Sequence, residues 1–399
     1  MSKIQIYHFH NGASGGVLSV IKNLLRFSVD EHVENHVIHA VNKKRYPEFK
    51  IEPIEGAVSQ QLYFYSANNN FYFTCRQLAK LLPNDKAIIV AHDWIELGMV
   101  SNLGLQNKVV QIVHGNYEYY YNLAQSHNPI VDTYICISPK IFATLQEKLP
   151  TRKEDIFQLN FPVPSVNKKN TFGDSLQLFY AVGNLKDENK QFQTILNIAQ
   201  ALSKEKEKYF FVIAGNGYNQ DEFKAIWPQS MVNNVKYLGL VTNDEIIHLL
   251  PKQDVFLLPS LSEGLPVSLV EAMKAGVVPL VTNWKGATSE LVIENQTGFY
   301  FEIGATHDYV HTIVTLNKNR HLLQRISENA NEKANLLFDP MQCVKKFEHL
   351  FGEIFRKKTM VKIAFKAYGS RLDNMLFPNI VTKFFRSFGI AINLIFLSI

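Results

Sequence analysis

"DVFLLPSLSEGLPVSLVEAMKAGVVPLVTN", residues 254 to 283, reads as strand, loop, helix, strand. "DVFLLPS" and "VVPLVTN" are short, nearly continuous apolar runs of the kind that form strands buried on both faces. "VSLVEAMKAG" between them has the pattern of a crossover helix, so the two strands are expected to lie parallel. In the loop, Gly264 permits close approach of backbone, and Pro266 suits the first turn of a helix.

The same alternation extends upstream. "LQLFYAVGN", "YFFVIAG" and "VKYLG" are further strand candidates, separated by the helical stretches "QFQTILNIAQAL", "DEFKAIW" and "NDEIIHLL". The polar, proline-containing run "FPVPSVNKKNTFGDS", residues 161 to 175, reads as a linker. Before it the pattern occurs once more. "IQIYHFH" precedes a glycine loop and "VLSVIKNLLRF", whose Val17, Val20, Ile21, Leu24 and Leu25 share one helical face; "AIIVAH", "KVVQIVH" and "TYICIS" follow as strands. The reading is α/β: two tandem Rossmann-like, doubly wound domains, residues 1–162 and 163–340, with a cleft between them. A mainly helical segment, residues 341–399, is expected to cross back to the first domain and ends in a basic, amphipathic tail.

The bulk numbers agree with folded domains. The chain has 399 residues, enough for two cores, with 46% hydrophobic and 19% charged residues. Cys75, Cys136 and Cys343 are far apart and form no disulfide or metal pattern, which points to a reducing compartment. "MSKIQIYHFHNG" lacks the layout of a signal peptide, and no apolar run reaches the roughly 20 residues needed to span a bilayer. A cytoplasmic location is expected. The net charge of +5 comes without a basic-aromatic stripe in the main body, so nucleic acid is not an expected partner.

Ligands of open α/β sheets sit beyond the carboxyl ends of the strands, where loops meet helix N-termini. Glu263 and Glu271 stand at such a place. On spacing alone they read equally as an N-terminal helix charge and a solvated side chain. In context, unpaired N–H groups at the helix start favour an anion, while two carboxylates favour hydroxyls. A nucleotide sugar satisfies both, with phosphates at the helix start, sugar hydroxyls at Glu263 and ribose hydroxyls at Glu271.

The segment 254–283, followed by "GATSELVIENQTGFYF", resembles the donor-binding segment of the retaining family-4 glycosyltransferases with the two-domain GT-B fold. "GASGGV", "AHDW", "VHG", "ICIS", "AVGNL", "IAGNG" and "VKYLGLV" extend the resemblance in order over nearly residues 1 to 350. It implies transfer of a sugar from a UDP- or GDP-sugar to a hydroxyl of a saccharide or lipid-linked saccharide, with retention, in cell-surface polysaccharide or glycolipid synthesis. It implies catalytic roles for Glu263, facing the sugar, and His114, reaching sugar and acceptor. His92 falls on the acceptor side. Donor binding is implied for Gly16, Asn184, Lys186, Lys190, Gly264, Leu265 and Glu271, with Lys190 neutralising the diphosphate. One departure stands out: Asn184 replaces the arginine expected six residues before Lys190, so leaving-group charge falls to Lys186 or another cation.

No two aspartates lie two residues apart, so the short acidic metal motif of the other large glycosyltransferase fold is missing; neither a metal nor a cofactor is expected. His8 and His10 in "YHFHN" read as strand residues without a chemical role. Two other readings share the fold, a nucleotide-sugar epimerase and a non-catalytic partner of another transferase. The tail from "FRKK" on mixes Lys and Arg with Phe, Ile and Leu. Its first half reads equally as an interfacial anchor or a helix packed on the first domain, and residues 377–399 as membrane-contacting, which would place the protein on the cytoplasmic face of a membrane.

Overall fold

β-Branched and aromatic runs that carry no charge can satisfy their backbone only in a sheet covered on both faces. The computed structural model, which describes residues 3–13, 15–83, 86–169, 172–206, 208–284 and 290–387, contains two such sheets. They belong to two compact units. One comprises the chain to Ile137, Ile141–Phe161 and the stretch from Met341 on; the other comprises Ser138–Lys140 and Pro162–Pro340.

The first unit runs β1 (Ile4–His10), α1 (Gly16–Arg26), β2 (Val33–Asn42), β3 (Ser59–Tyr65), α2 (Phe71–Ala79), β4 (Ile88–Ala91), α3 (Trp94–Leu103), β5 (Lys108–Val113), α4 (Glu118–Ser126), β6 (Thr133–Cys136), α5 (Pro139–Lys148) and β7 (Ile156–Gln158). Its seven strands are parallel in the order β3-β2-β1-β4-β5-β6-β7. Val20, Ile21, Leu24 and Leu25 of α1 are buried, as their shared face requires. Strand order reverses between β1 and β4, which pair directly, His8 opposite Val90. Loops leaving their carboxyl ends diverge there and open a crevice.

The second unit runs β8 (Leu176–Asn184), α6 (Phe192–Leu202), β9 (Tyr209–Asn216), α7 (Gln220–Ile226), β10 (Val235–Gly239), α8 (Asn243–Leu249), β11 (Val255–Leu258), α9 (Val267–Lys274), β12 (Val278–Thr282), β13 (Phe299–Phe301), α10 (Thr306–Lys318) and α11 (Arg320–Leu337). Its six parallel strands are ordered β10-β9-β8-β11-β12-β13, so the reversal falls between β8 and β11. The core stacks Tyr180, Phe211, Phe223 and Trp227 on the sheet under α6.

Two local readings change. The stretch 161–175 is not a loose linker where it is described. Phe161 and Val163 are fully buried, and the Lys169 ammonium lies 3.0 Å from the Asp254 carboxylate with both nearly out of solvent. Lys274, also buried, donates to the Val163 carbonyl at 2.6 Å and the Phe338 carbonyl at 2.9 Å, which ties the segment to α9. Charges this deep persist only with partners. β2 was not apparent as a strand because Asn35, His36 and His39 interrupt its apolar run, yet all three are buried, Asn35 donating to Ser28 before the strand and the two histidines bonded to Ser59 and Gln60 of β3.

After α11 the chain enters α12 (Pro340–Arg356), which belongs to the first unit: Glu348 Oε1 accepts from Ser28 Oγ at 2.7 Å and from the Val29 N–H at 3.0 Å. The next residues form a strap without helix. Lys362 is buried between Asp132, at 2.7 Å, and the Asn107 carbonyl. The strap ends in α13 (Asn379–Ser387). No helix among the described residues is long and apolar enough to cross a membrane. "FGIAINLIFLSI", residues 388–399, and residues 285–289 lie outside the described residues.

Candidate functional site

In the second unit the expected donor residues collect where the strand order reverses. β8 delivers Asn184, Lys186 and Lys190, while the loop from β11 to α9 delivers Glu263, Gly264 and Leu265. The Lys190 ammonium lies 2.6 Å from Glu263 Oε1. Sequence separation of 73 residues is thus closed by topology, since β8 and β11 are neighbours. The pair is mostly but not wholly buried, so a ligand can compete for either partner. Gly264 and Leu265 are buried in the loop wall.

Glu271 is not a solvated side chain. It sits in the second turn of α9, 1% exposed, and its Oε1 accepts from Asn243 Nδ2 at 3.1 Å. Burial pushes its pKa up to about 7, against a smaller lowering by the Asn243 hydrogen bond. A buried carboxyl with one neutral partner is poised to take further donors, such as hydroxyls, and to ionise when it does.

The loop geometry depends on a residue that sequence reading passed over. Asn189 donates through Nδ2 to the Ser262 carbonyl at 3.0 Å, accepts through Oδ1 from the Ser262 N–H at 3.1 Å, and its carbonyl accepts from the Leu261 N–H at 2.8 Å. It therefore fixes the approach to Glu263 from β8's side. Nothing local marks it, since its partners lie 73 residues away. Asn184 is exposed at the end of β8, its Oδ1 accepting from the Lys186 N–H at 3.0 Å. Gly217, with φ +123°, lets the loop after β9 lie against that oxygen, where a Cβ would sit 2.9 Å away. Lys186 points its ammonium at the Tyr218 ring, 4.7 Å from the centroid.

In the first unit the expected residues stand at the other strand reversal. Gly16 begins α1, exposed, after Gly15 at φ +144°. His92 follows β4 and His114 follows β5, and they touch: His92 Nδ1 lies 2.8 Å from His114 Nε2. His92 is not open at the strand end, being 2% exposed, because it is sandwiched between His114 and His8 of β1; His8 Nδ1 lies 3.2 Å from His92 Nε2. His8 is thus part of the cluster, and its pattern as a strand residue concealed this. His10 instead contacts His39, 3.1 Å between their Nδ1 atoms.

Desolvation holds these imidazoles neutral, with His114 lowered to about 3, His8 and His10 to about 4, and His92 well below its ordinary value. A neutral imidazole donates through one nitrogen and accepts through the other, so the tautomers of His8, His92 and His114 are coupled. Beside them a cavity of about 60 Å³ is lined by Phe9, His10, Asn11, Val17, His92, Asp93, Glu96 and Tyr120. Asp93 and Glu96 form the capping box of α3, and Glu96 also accepts from the His92 N–H at 2.5 Å. Burial, then the Asp93 charge, raises Glu96 to about 7.

Residues 164–333, nearly the whole second unit, match the glycosyl transferases group 1 family. Over these residues the second unit is similar to the group 1 glycosyltransferases. N-acetyl-α-D-glucosaminyl L-malate synthase of Bacillus anthracis is 23% identical over 88% of this chain and 92% of its own length. The UDP-Gal:α-D-GlcNAc-diphosphoundecaprenol α-1,3-galactosyltransferase of Escherichia coli is 28% identical over 37% of this chain, and that match spans only 38% of the relative. Among solved structures, Anabaena Alr3699/HepE in complex with UDP and glucose superposes with a TM-score of 0.67 over 88% of this chain and all of that one, at 16% identity. The matched segment and the parallel sheet before it therefore share the GT-B fold. Lys190, Glu263 and Glu271 all lie within the group 1 match.

Proposed function

We propose that this chain transfers a glycosyl group from a UDP- or GDP-sugar to a hydroxyl of a saccharide or lipid-linked saccharide, retaining anomeric configuration and using no divalent metal. The observation that carries the proposal is the Lys190–Glu263 pair at 2.6 Å, with Glu263 in the loop that leads into α9, the helix that carries buried Glu271, all within the segment that matches the group 1 glycosyltransferases. Lys190 is released from Glu263 by the donor diphosphate and neutralises it. Glu263, freed in the same step, accepts from a sugar hydroxyl and faces the positive charge that develops on the departing sugar. Glu271 accepts from the ribose hydroxyls, Gly264 and Leu265 shape the loop, and the N–H groups at the start of α9 face phosphate oxygens.

On this reading the first unit receives the acceptor. His114 approaches the reacting sugar and hydroxyl, His92 holds its tautomer, and Gly16 lets backbone come close to the phosphates. Asn184 supplies no charge, so departure of the diphosphate rests on Lys190 and Lys186. The lipid-linked substrate in the name of the Escherichia coli relative supports a lipid-linked acceptor, and a place in cell-surface polysaccharide or glycolipid synthesis goes with it.

The test is release of nucleoside diphosphate from a panel of nucleotide sugars in excess EDTA, with and without acceptor extracts. One donor should turn over in EDTA, and only with acceptor. Glu263→Gln should lower kcat far more than donor affinity, since its contact strengthens in the transition state. Turnover restored only by Mg²⁺ or Mn²⁺, or unchanged by Glu263→Gln, refutes the mechanism.

A further inference from the structure

The charge of the chain is concentrated at one place. Of 41 Lys and Arg and 36 Asp and Glu, eight and one fall between Arg356 and Ser387, leaving 33 against 35 elsewhere. The whole net positive charge therefore resides in the stretch from the last residue of α12 through the strap and α13. Arg356, Lys357, Lys358, Lys366, Arg371 and Lys383 are exposed, whereas the lone acid, Asp373, is buried against Arg386 at 2.7 Å.

α13 also faces the wrong way for a helix of a water-soluble surface. Its inward side is polar: Thr382 is buried, Arg386 is bound to Asp373, and Asn379 Oδ1 accepts from the Asn70 N–H at 2.8 Å. Its outward side and the turn before it are apolar, with Leu376 80%, Ile380 77%, Met375 65% and Phe384 58% exposed. Helices normally bury the apolar stripe and hydrate the polar one. Here the polar anchors fix the helix to α2 and leave the apolar stripe in water, beside Lys383 and Arg371. In sequence, twelve residues without a single charge follow directly.

We propose that α13 and the strap form a docking surface for an anionic lipid bilayer, with Leu376, Ile380 and Phe384 entering the headgroup boundary and the exposed Lys and Arg residues facing lipid phosphates. Apolar residues on one helix face flanked by cations match that interface, where burial and attraction to anionic lipid act together. The inference deepens the lipid-linked acceptor reading and rests on it only for its purpose; the surface stands on its own geometry.

The test is co-sedimentation of the full chain with phosphatidylcholine vesicles, with and without phosphatidylglycerol. The wild type should bind the phosphatidylglycerol vesicles, more weakly as salt rises, and bind phosphatidylcholine poorly. Leu376→Asp/Ile380→Asp should lose about tenfold or more in binding, and Arg371→Glu/Lys383→Glu should lose the low-salt advantage. Unchanged melting temperature in both variants reports the fold. Wild type left in the supernatant, or the Asp variant sedimenting as wild type does, overturns the proposal. So does a concentration-dependent dimer that the Asp variant abolishes while vesicles are ignored, since a second copy is then the occupant. Vesicle binding is read without any donor, so it stands or falls separately from the transferase assay.

Discussion

Replacing Glu271 by Gln removes an ionisable group from the core while keeping its shape. The carboxyl is 1% exposed and its pKa is raised from 4.5 to about 7. A carboxyl with a raised folded pKa holds its proton more tightly folded than unfolded. Its stabilising share is full below pH 4.5 and is lost as pH rises through 7. A shift of this size corresponds to about 3 kcal/mol at alkaline pH. Gln carries no such burden, so Glu271→Gln should be the more stable protein, by a margin that grows by about 2 kcal/mol between pH 5 and 7 and is flat above about pH 8. Urea unfolding followed by fluorescence in a Trp94→Phe background measures it, because the two remaining tryptophans, Trp227 and Trp284, are buried in the second unit. The same variant should bind donor more weakly, and wild-type donor binding near pH 7 should release a proton as hydroxyls stabilise the carboxylate. A stability difference independent of pH would refute the reasoning.

Asn189→Ala removes both side-chain hydrogen bonds to Ser262 and should cost about 1–3 kcal/mol. It should raise KM for the donor and lower kcat together, because the loop carrying Glu263 is no longer held; steady-state kinetics unchanged from wild type would remove Asn189 from the site. Asn70 donates to the carbonyls of Leu372, Asn374 and Phe377 at 2.8–2.9 Å and caps α2 through Oδ1. Asn70→Ala should therefore loosen the strap and speed tryptic cleavage at Lys357 and Lys358, with the melting temperature falling by an amount equivalent to about 3 kcal/mol; an unaltered digestion pattern would contradict this.

The fold was legible because buried parallel strands announce themselves as apolar runs, and 254–283 contains a full strand–helix–strand unit. β2 escaped because its buried Asn35, His36 and His39 look solvated until their partners are in place. The place of Glu263 and Glu271 at a strand-to-helix turn was legible, but the depth of Glu271 was not, since its burial is made by tertiary packing around α9 and by Asn243. His92 was expected on the acceptor side, but its burial between His8 and His114 could not be read from the sequence, because those partners lie on other strands. Asn189 carries no signal in its neighbours, and the direction of α13 could be read only once Asp373 and Asn70 fixed its polar side. Asn184 remains the one departure from the resembled pattern, now seen to be occupied in holding the turn to Lys186.

The proposed function requires that a nucleotide sugar open the Lys190–Glu263 pair. Calorimetric titration of UDP-, GDP- and their sugar conjugates into wild type and Lys190→Ala tests this directly. One base should bind the wild type, with Lys190→Ala weakening the diphosphate and the nucleotide sugar to the same extent. Equal affinity in the two proteins, or no binding of any nucleotide by the wild type, would contradict it.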